Sequence, residues 1–203
     1  MRVMIIDYGM GNLLSVRRAF EKCGAMTEIV NDPKLLNGAS HIILPGVGAF
    51  KDGMANLRSG NWEFYIKEAV YEKRIPLLGI CLGMQLLADV GYEVEETKGL
   101  GMIAGEVIKL EGHYKERIPH VGWNEINIVK NDPLLDGIPD KTDFYFVHSY
   151  HFSTKEQDTV IADTPYSGRF TSIVGSHLVY GVQFHPEKSQ RPGFKLIQNF
   201  LKL

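Results

Sequence analysis

The sequence predicts an α/β domain with three layers, an open, mixed and mostly parallel sheet covered by helices on both faces. Three observations carry this expectation. Short, largely apolar runs at Val3–Ile6, His41–Leu44 and Leu77–Ile80 have the pattern of strands buried on both sides. Helix-length segments separate them, which is the βαβ rhythm of a parallel sheet. The second half of the chain then changes to closely spaced strands divided by turn residues, so antiparallel strands are expected to join late.

The elements follow in order. Val3–Ile6 reads as the first strand. Asn12 can cap a helix whose Leu13, Val16 and Phe20 share one face, and Gly24 ends it, with Cys23 in the closing turn. Met26–Val30 and His41–Leu44 are the next strands. A helix over Trp62–Lys73 places Trp62, Ile66, Ala69 and Val70 on one stripe; Pro76 stops it before the strand Leu77–Ile80. Beyond this come strand candidates at Glu106–Leu110, Trp123–Ile128, Phe144–His148, Val160–Ala162, Phe170–Val174 and Leu178–Phe184. Asn131-Asp132-Pro133 and Pro165-Tyr166-Ser167-Gly168 are turns. A last helix, Gly193–Leu203, carries Leu196, Ile197, Phe200 and Leu201 on its apolar face.

Composition narrows the function classes. The 203 residues suit one domain spanning 1–203, and no repeat or linker-like stretch divides them. With 22 Lys+Arg against 24 Asp+Glu there is no basic excess for a nucleic-acid grip. The N-terminal apolar run is too short for a signal segment, and nothing approaches a membrane span. Two cysteines cannot build a disulfide framework, so a reducing cytoplasm is expected. No phosphate loop, dinucleotide fingerprint or metal-ligand spacing occurs, so neither cofactor nor metal is expected.

The chemistry concentrates in Gly79-Ile80-Cys81-Leu82-Gly83, between a strand and the apolar run Met84, Leu86, Leu87 and Ala88. A nucleophile between two such glycines on a strand-to-helix turn is an elbow pattern. The glycines permit the tight turn, and a helix N-terminus favours a thiolate. The amide of Leu82 would face a developing oxyanion. Taken alone, a free cysteine is more often a small buried apolar residue, the reading that suits Cys23; the elbow reverses those odds at Cys81. A nucleophilic cysteine needs a base and an acid to orient it. Of seven histidines, only His185, in Gly181-Val182-Gln183-Phe184-His185-Pro186-Glu187, has an obvious partner. In extended chain His185 and Glu187 project to one side. Leu44-Pro45-Gly46-Val47-Gly48 leaves another strand end with glycines that let backbone amides approach a ligand, although a plain glycine turn into the next helix reads as well.

Taken together, Pro45–Gly48, Gly79–Gln85 and Phe184–Glu187 resemble, in order and spacing, the three blocks of the triad (class I) glutamine amidotransferases. The segments Asp7–Asn12, Pro119–Asn124, Tyr145–Tyr150 and Lys188-Ser189 are similar to one branch, glutaminase subunits that feed a separate (β/α)₈ cyclase in histidine biosynthesis. The resemblance implies the family's α/β fold and hydrolysis of L-glutamine through a Cys81 thioester, with His185 moving protons and Glu187 orienting it. Leu82 and the Val47–Gly48 backbone would form the oxyanion hole; Gln85, Glu93, His148, Ser149 and Tyr150 would hold glutamine. Asn12, Trp123, Tyr145 and Lys188 would face the cyclase in a heterodimer that makes imidazole glycerol phosphate and AICAR.

Other readings stay open on the residues. His148–Tyr150 could be a core strand end, and Trp123 could be core. A paralogous subunit feeding surface-sugar (lipopolysaccharide-type) biosynthesis would carry the same triad. A non-catalytic regulatory subunit, or a cysteine peptidase on the same elbow, are further alternatives.

Overall fold

The computed structural model describes residues 1–112 and 116–203. It begins β1 (Arg2–Ile6), α1 (Leu13–Lys22), β2 (Met26–Val30), β3 (His41–Gly46), α2 (Phe50–Ser59), α3 (Trp62–Lys67), β4 (Leu77–Cys81) and α4 (Leu82–Gln85). There follow β5 (Val90–Gly91), β6 (Thr97–Lys98), β7 (Gly105–Lys109), β8 (His120–Glu125), β9 (Asn127–Ile128), β10 (Asp143–His148) and β11 (Tyr150–Thr154). The chain closes with β12 (Val160–Thr164), β13 (Phe170–Ser176), β14 (Val179–Val182) and α5 (Gln190–Phe200).

The central sheet runs β2-β1-β3-β4-β14-β13-β12-β9. Its first five strands are mutually parallel and the rest pair antiparallel, the mixed and mostly parallel sheet expected. Burial on both faces follows from the alternation in β1. Val3 and Ile5 pack with α1 and α5 through Val16, Phe20, Leu196 and Phe200. Met4 and Ile6 pack on the other face with α2 and α3 through Phe50, Met54, Leu57, Trp62 and Ile66. Side chains two apart share a side, so a strand sandwiched between helices must be apolar at every position.

Several expectations are corrected. Not all second-half strands enter the central sheet: β10 pairs with β8, and β11-β7-β5-β6 forms a separate four-stranded sheet. The strand expected over Trp123–Ile128 divides at buried Ile126, whose amide and carbonyl turn to Thr142 and Lys141. The helix after Cys81 is a single turn. The carbonyls of Leu86, Leu87 and Ala88 accept from Leu100, Met102, Ile103 and Gly101, so that ladder cannot continue past Gln85. The helix expected at Trp62–Lys73 is α3 followed by a π-helical turn, Glu68–Glu72. The last helix starts at Gln190, earlier than the sequence predicts. Among the described residues, no helix is long and apolar enough to cross a membrane.

Candidate active site

Sheet order assembles the site. In β4, Cys81 is the last residue, with Gly46 of β3 as its register partner on one side. On the other side β14 pairs Val182 with Ile80, so the chain leaving β14 carries Gln183 and His185 past the same strand end. Open parallel sheets bind ligands at the carboxyl ends of their strands, and here three adjacent strands deliver the three sequence blocks to one place.

Cys81 adopts φ 54°, the left-handed region, as a sharp elbow requires. The turn is possible because of close backbone approach on both sides. A Cβ on Gly83 would overlap the Leu44 carbonyl oxygen, and one on Gly79 would come within 2.6 Å of the Gly83 carbonyl oxygen. Gly83→Ala therefore forces α4 away from β3 and should destabilise the fold by more than about 4 kcal/mol, read as loss of the cooperative urea transition. A transition at the wild-type midpoint would contradict this packing. Because α4 has only four residues, its dipole is weak support for a thiolate; the charge partner present is His185.

His185 Nδ1 lies 2.8 Å from Glu187 Oε1, with both side chains buried. Its Nε2 is buried with no hydrogen-bond partner, and the residue lines the same cavity as Cys81. Burial works against a charged imidazole, but Cys81 and Glu187 outweigh it and push His185 up to about 9. Ser189 sets the His185 turn: its hydroxyl donates to the His185 carbonyl at 2.6 Å and accepts from the Tyr145 amide at 3.0 Å.

The cavity holds about 480 Å³. Val47, Gly48, Cys81, Leu82, Gln85, Glu93, His148, Ser149, Tyr150 and His185 line it, so every residue expected to react, to form the oxyanion hole or to hold glutamine, apart from the orienting Glu187, meets in one place. Glu187 stands behind His185. Gly48 has φ 110°, and Leu82 opens α4 with an amide that no helical carbonyl can reach. Glu93 accepts from the Phe50 amide at 2.8 Å, tying its loop to the start of α2. His148 is buried, with its Nε2 3.1 Å from His120 Nδ1.

The four residues expected at a partner face lie outside the cavity lining. Trp123 is 47% exposed, so it is not core. Its ring meets Tyr145 edge-on at 6.0 Å, and Lys188 Nζ lies 5.8 Å over the Tyr145 ring. Asn12 caps α1 by accepting from the Ser15 amide at 3.4 Å. His113 lies outside the described residues.

Three site residues escaped the sequence reading. Gln183 is fully buried, and its amide group reaches Cys81 Sγ at 3.8 Å. Its signal was its position, two residues before His185 on the same extended segment. Tyr8 places a buried, unpartnered hydroxyl against Gly46, and burial followed by the Cys81 charge pushes its phenol above the usual range. His120 gave no local signal, because its partner is 28 residues away.

Comparison with known proteins follows the same lines. The sequence model of the glutamine amidotransferase class-I family matches residues 4–203. The imidazole glycerol phosphate synthase subunit HisH 1 of Campylobacter jejuni is 47% identical over 201 residues, covering 99% of this chain and 100% of the relative. The imidazole glycerol phosphate synthase subunit HisH of Moorella thermoacetica is 45% identical, covering 99% and 94%. The structure of PurLQS from Thermotoga maritima superposes with a TM-score of 0.79 at 21% identity, covering 99% of this chain and 97% of that one, a likeness of fold.

Proposed function

The chain belongs to the class-I glutamine amidotransferase family, and from that membership we propose that it is the glutaminase subunit of an imidazole glycerol phosphate synthase. It hydrolyses L-glutamine to glutamate and ammonia and passes the ammonia to a (β/α)₈ cyclase subunit for imidazole glycerol phosphate and AICAR formation. The HisH relatives favour this acceptor over one in surface-sugar biosynthesis. One observation carries the chemistry: His185 is held by buried Glu187 through one ring nitrogen, its other ring nitrogen is unpartnered, and it lines the same cavity as Cys81.

The reaction follows from that arrangement. Cys81 Sγ, as thiolate beside the His185 imidazolium, attacks the side-chain amide carbon of glutamine. The oxyanion forms toward the Leu82 amide and the Val47–Gly48 backbone. His185 gives its proton to the leaving nitrogen, the C–N bond breaks, and ammonia departs from a γ-glutamyl thioester. Neutral His185 then takes a proton from water, whose oxygen attacks the thioester, and returns it to sulfur as glutamate leaves. Glu187 keeps Nδ1 protonated, so that Nε2 is the nitrogen that works. Gln85, Glu93, His148, Ser149 and Tyr150 form the glutamine pocket around Cys81, with Glu93 supplying a carboxylate for the substrate ammonium. Trp123, Tyr145, Lys188 and Asn12 form the face toward the cyclase. Both cysteines are free, as a nucleophilic thiol in a reducing cytoplasm requires.

A glutamine analogue that alkylates thiols, applied with a cyclase of this class present, should add one label to the chain. Mass spectrometry should place it on Cys81 and not on Cys23, whose thiol donates to the Phe194 carbonyl at 3.5 Å and is pushed up by burial. A label on Cys23, or none, would overturn the mechanism.

A further inference from the structure

His120 and His148 are buried histidines with ring nitrogens in direct contact, and the hydrogen bonds around them leave only one arrangement of protons. The Glu125 amide donates to Asn124 Oδ1 at 2.9 Å, which fixes that side-chain amide and leaves Nδ2 facing His120 Nε2 at 3.3 Å. Because Nδ2 can only donate, His120 Nε2 carries a lone pair, and a neutral His120 must be protonated on Nδ1. That Nδ1 lies 3.1 Å from His148 Nε2. From the other end, His148 Nδ1 lies 2.9 Å from the Tyr150 carbonyl, which can only accept. His148 is therefore also protonated on Nδ1, leaving Nε2 to accept from His120. Both ends demand the same polarity. Burial supports the neutral rings, holding His120 down to about 4 and His148 down to about 3.

The relay ends at the Tyr150 carbonyl, which the cavity wall also uses. Gln85 Nε2 donates to the same Tyr150 carbonyl at 2.8 Å and to Gln183 Oε1 at 3.1 Å, and Gln183 Nε2 reaches Cys81 Sγ at 3.8 Å. The Tyr150 carbonyl thus receives one bond from the histidine pair and one from the cavity wall. Ser149 and Tyr150 line the cavity on the chain between these anchors.

We propose that Asn124 and His120 are positioning residues for glutamine: they hold His148 in its Nδ1–H tautomer, and through it fix the Tyr150 carbonyl and the Ser149–Tyr150 wall of the pocket. Neither residue lines the cavity, so each acts through His148. Stacking of His120 on Tyr166 at 3.9 Å and on Phe146 at 5.0 Å keeps its ring from rotating out of the relay. This rests on the glutaminase reading for its kinetic consequence, whereas the proton positions can be read without it.

The first test is ¹⁵N NMR of the full chain with labelled histidine. His120 and His148 should both appear as neutral Nδ1–H tautomers, and an Nε2–H form at either overturns the relay. The second is Asn124→Asp, which replaces the donor facing His120 Nε2 with an acceptor. His120 must then carry a proton on Nε2, and the ¹⁵N spectrum of the variant tells which form it takes. As the other tautomer it sets two lone pairs against each other at His148, and glutamine KM in the complex with the cyclase should rise about tenfold with kcat within about twofold, the size of one lost hydrogen bond. As a charged ring it keeps Nδ1–H on His148, and KM should stay at the wild-type value. Asn124→Ala removes the donor without adding a charge and covers the case in which the aspartate variant does not fold; its KM should rise about threefold. A wild-type enzyme that hydrolyses glutamine, with KM unmoved in folded Asn124→Ala or in an Asn124→Asp variant whose His120 is the neutral Nε2–H tautomer, overturns the positioning role. A wild-type complex that does not hydrolyse glutamine overturns the glutaminase reading, and the kinetic role of the relay falls with it.

Discussion

Cys81→Ala will lower glutamine-dependent turnover of the complex by on the order of 10⁵-fold or more, while turnover with free ammonia stays at the wild-type level. No second thiol can replace the sulfur. Among the described residues, Cys23 is the other thiol, and it is bonded to the Phe194 carbonyl at the end of α1 rather than in the cavity. Water alone would have to attack an unactivated amide. The substitution should fold, because alanine is smaller and the φ of 54° is already carried by a residue with a Cβ. The sulfur bonds that disappear, to the Val147 carbonyl and from Gln183, are long at 3.8 Å. Ammonia-dependent synthesis is the internal control, since it needs an assembled complex but no glutaminase. Retained glutamine turnover would remove Cys81 from the chemistry. Loss of both activities would place the effect on folding or assembly instead.

Legibility in the sequence divided along contact range. Cys81 between Gly79 and Gly83, and His185 two residues from Glu187, were readable because each signal is local: a tight turn needs neighbouring glycines, and an i, i+2 pair shares one side of an extended chain. The parallel half of the sheet was readable for the same reason, since strands buried on both faces have to be apolar throughout. What the sequence could not supply is which distant residues meet. His120 touches His148 because β8 and β10 pair antiparallel with these two residues opposite each other, and that register is set by the whole second half of the chain. Gln183 was visible in the motif, yet its role depends on Gln85 lying 3.1 Å away across the β4–β14 boundary. The single turn of α4 was hidden because Leu86 and Leu87 look like the rest of an apolar helix. Their carbonyls bond instead to Leu100, Met102 and Ile103, and no local pattern reports that. The family resemblance named Glu93, His148, Ser149 and Tyr150, but not the route by which Tyr150 is held.

Glu187→Gln will cost about 10³- to 10⁴-fold in kcat for glutamine and move the alkaline limb of the activity profile to lower pH. The carboxylate is buried, and its Oε1 accepts from His185 Nδ1 at 2.8 Å while Oε2 has no partner. Glutamine keeps the shape and can still accept that bond, but it removes the negative charge and puts an unsatisfied NH₂ where Oε2 stood. The sign follows from the forces on His185. Burial pulls its proton off; Cys81 and Glu187 hold it on, and together they win, pushing the imidazole up to about 9. With one of the two upward influences gone, His185 loses its proton at lower pH, and the acid that must protonate departing ammonia is lost earlier. Stability moves with it. A histidine raised from near 6.5 to about 9 stabilises the fold fully below the lower value, and that contribution disappears as pH climbs through the upper one. The variant should therefore lose urea resistance at pH 6 and differ much less from wild type at pH 10. An alkaline limb that stays in place, or an equal stability loss at both pH values, would mean that Glu187 holds His185 by shape and not by charge.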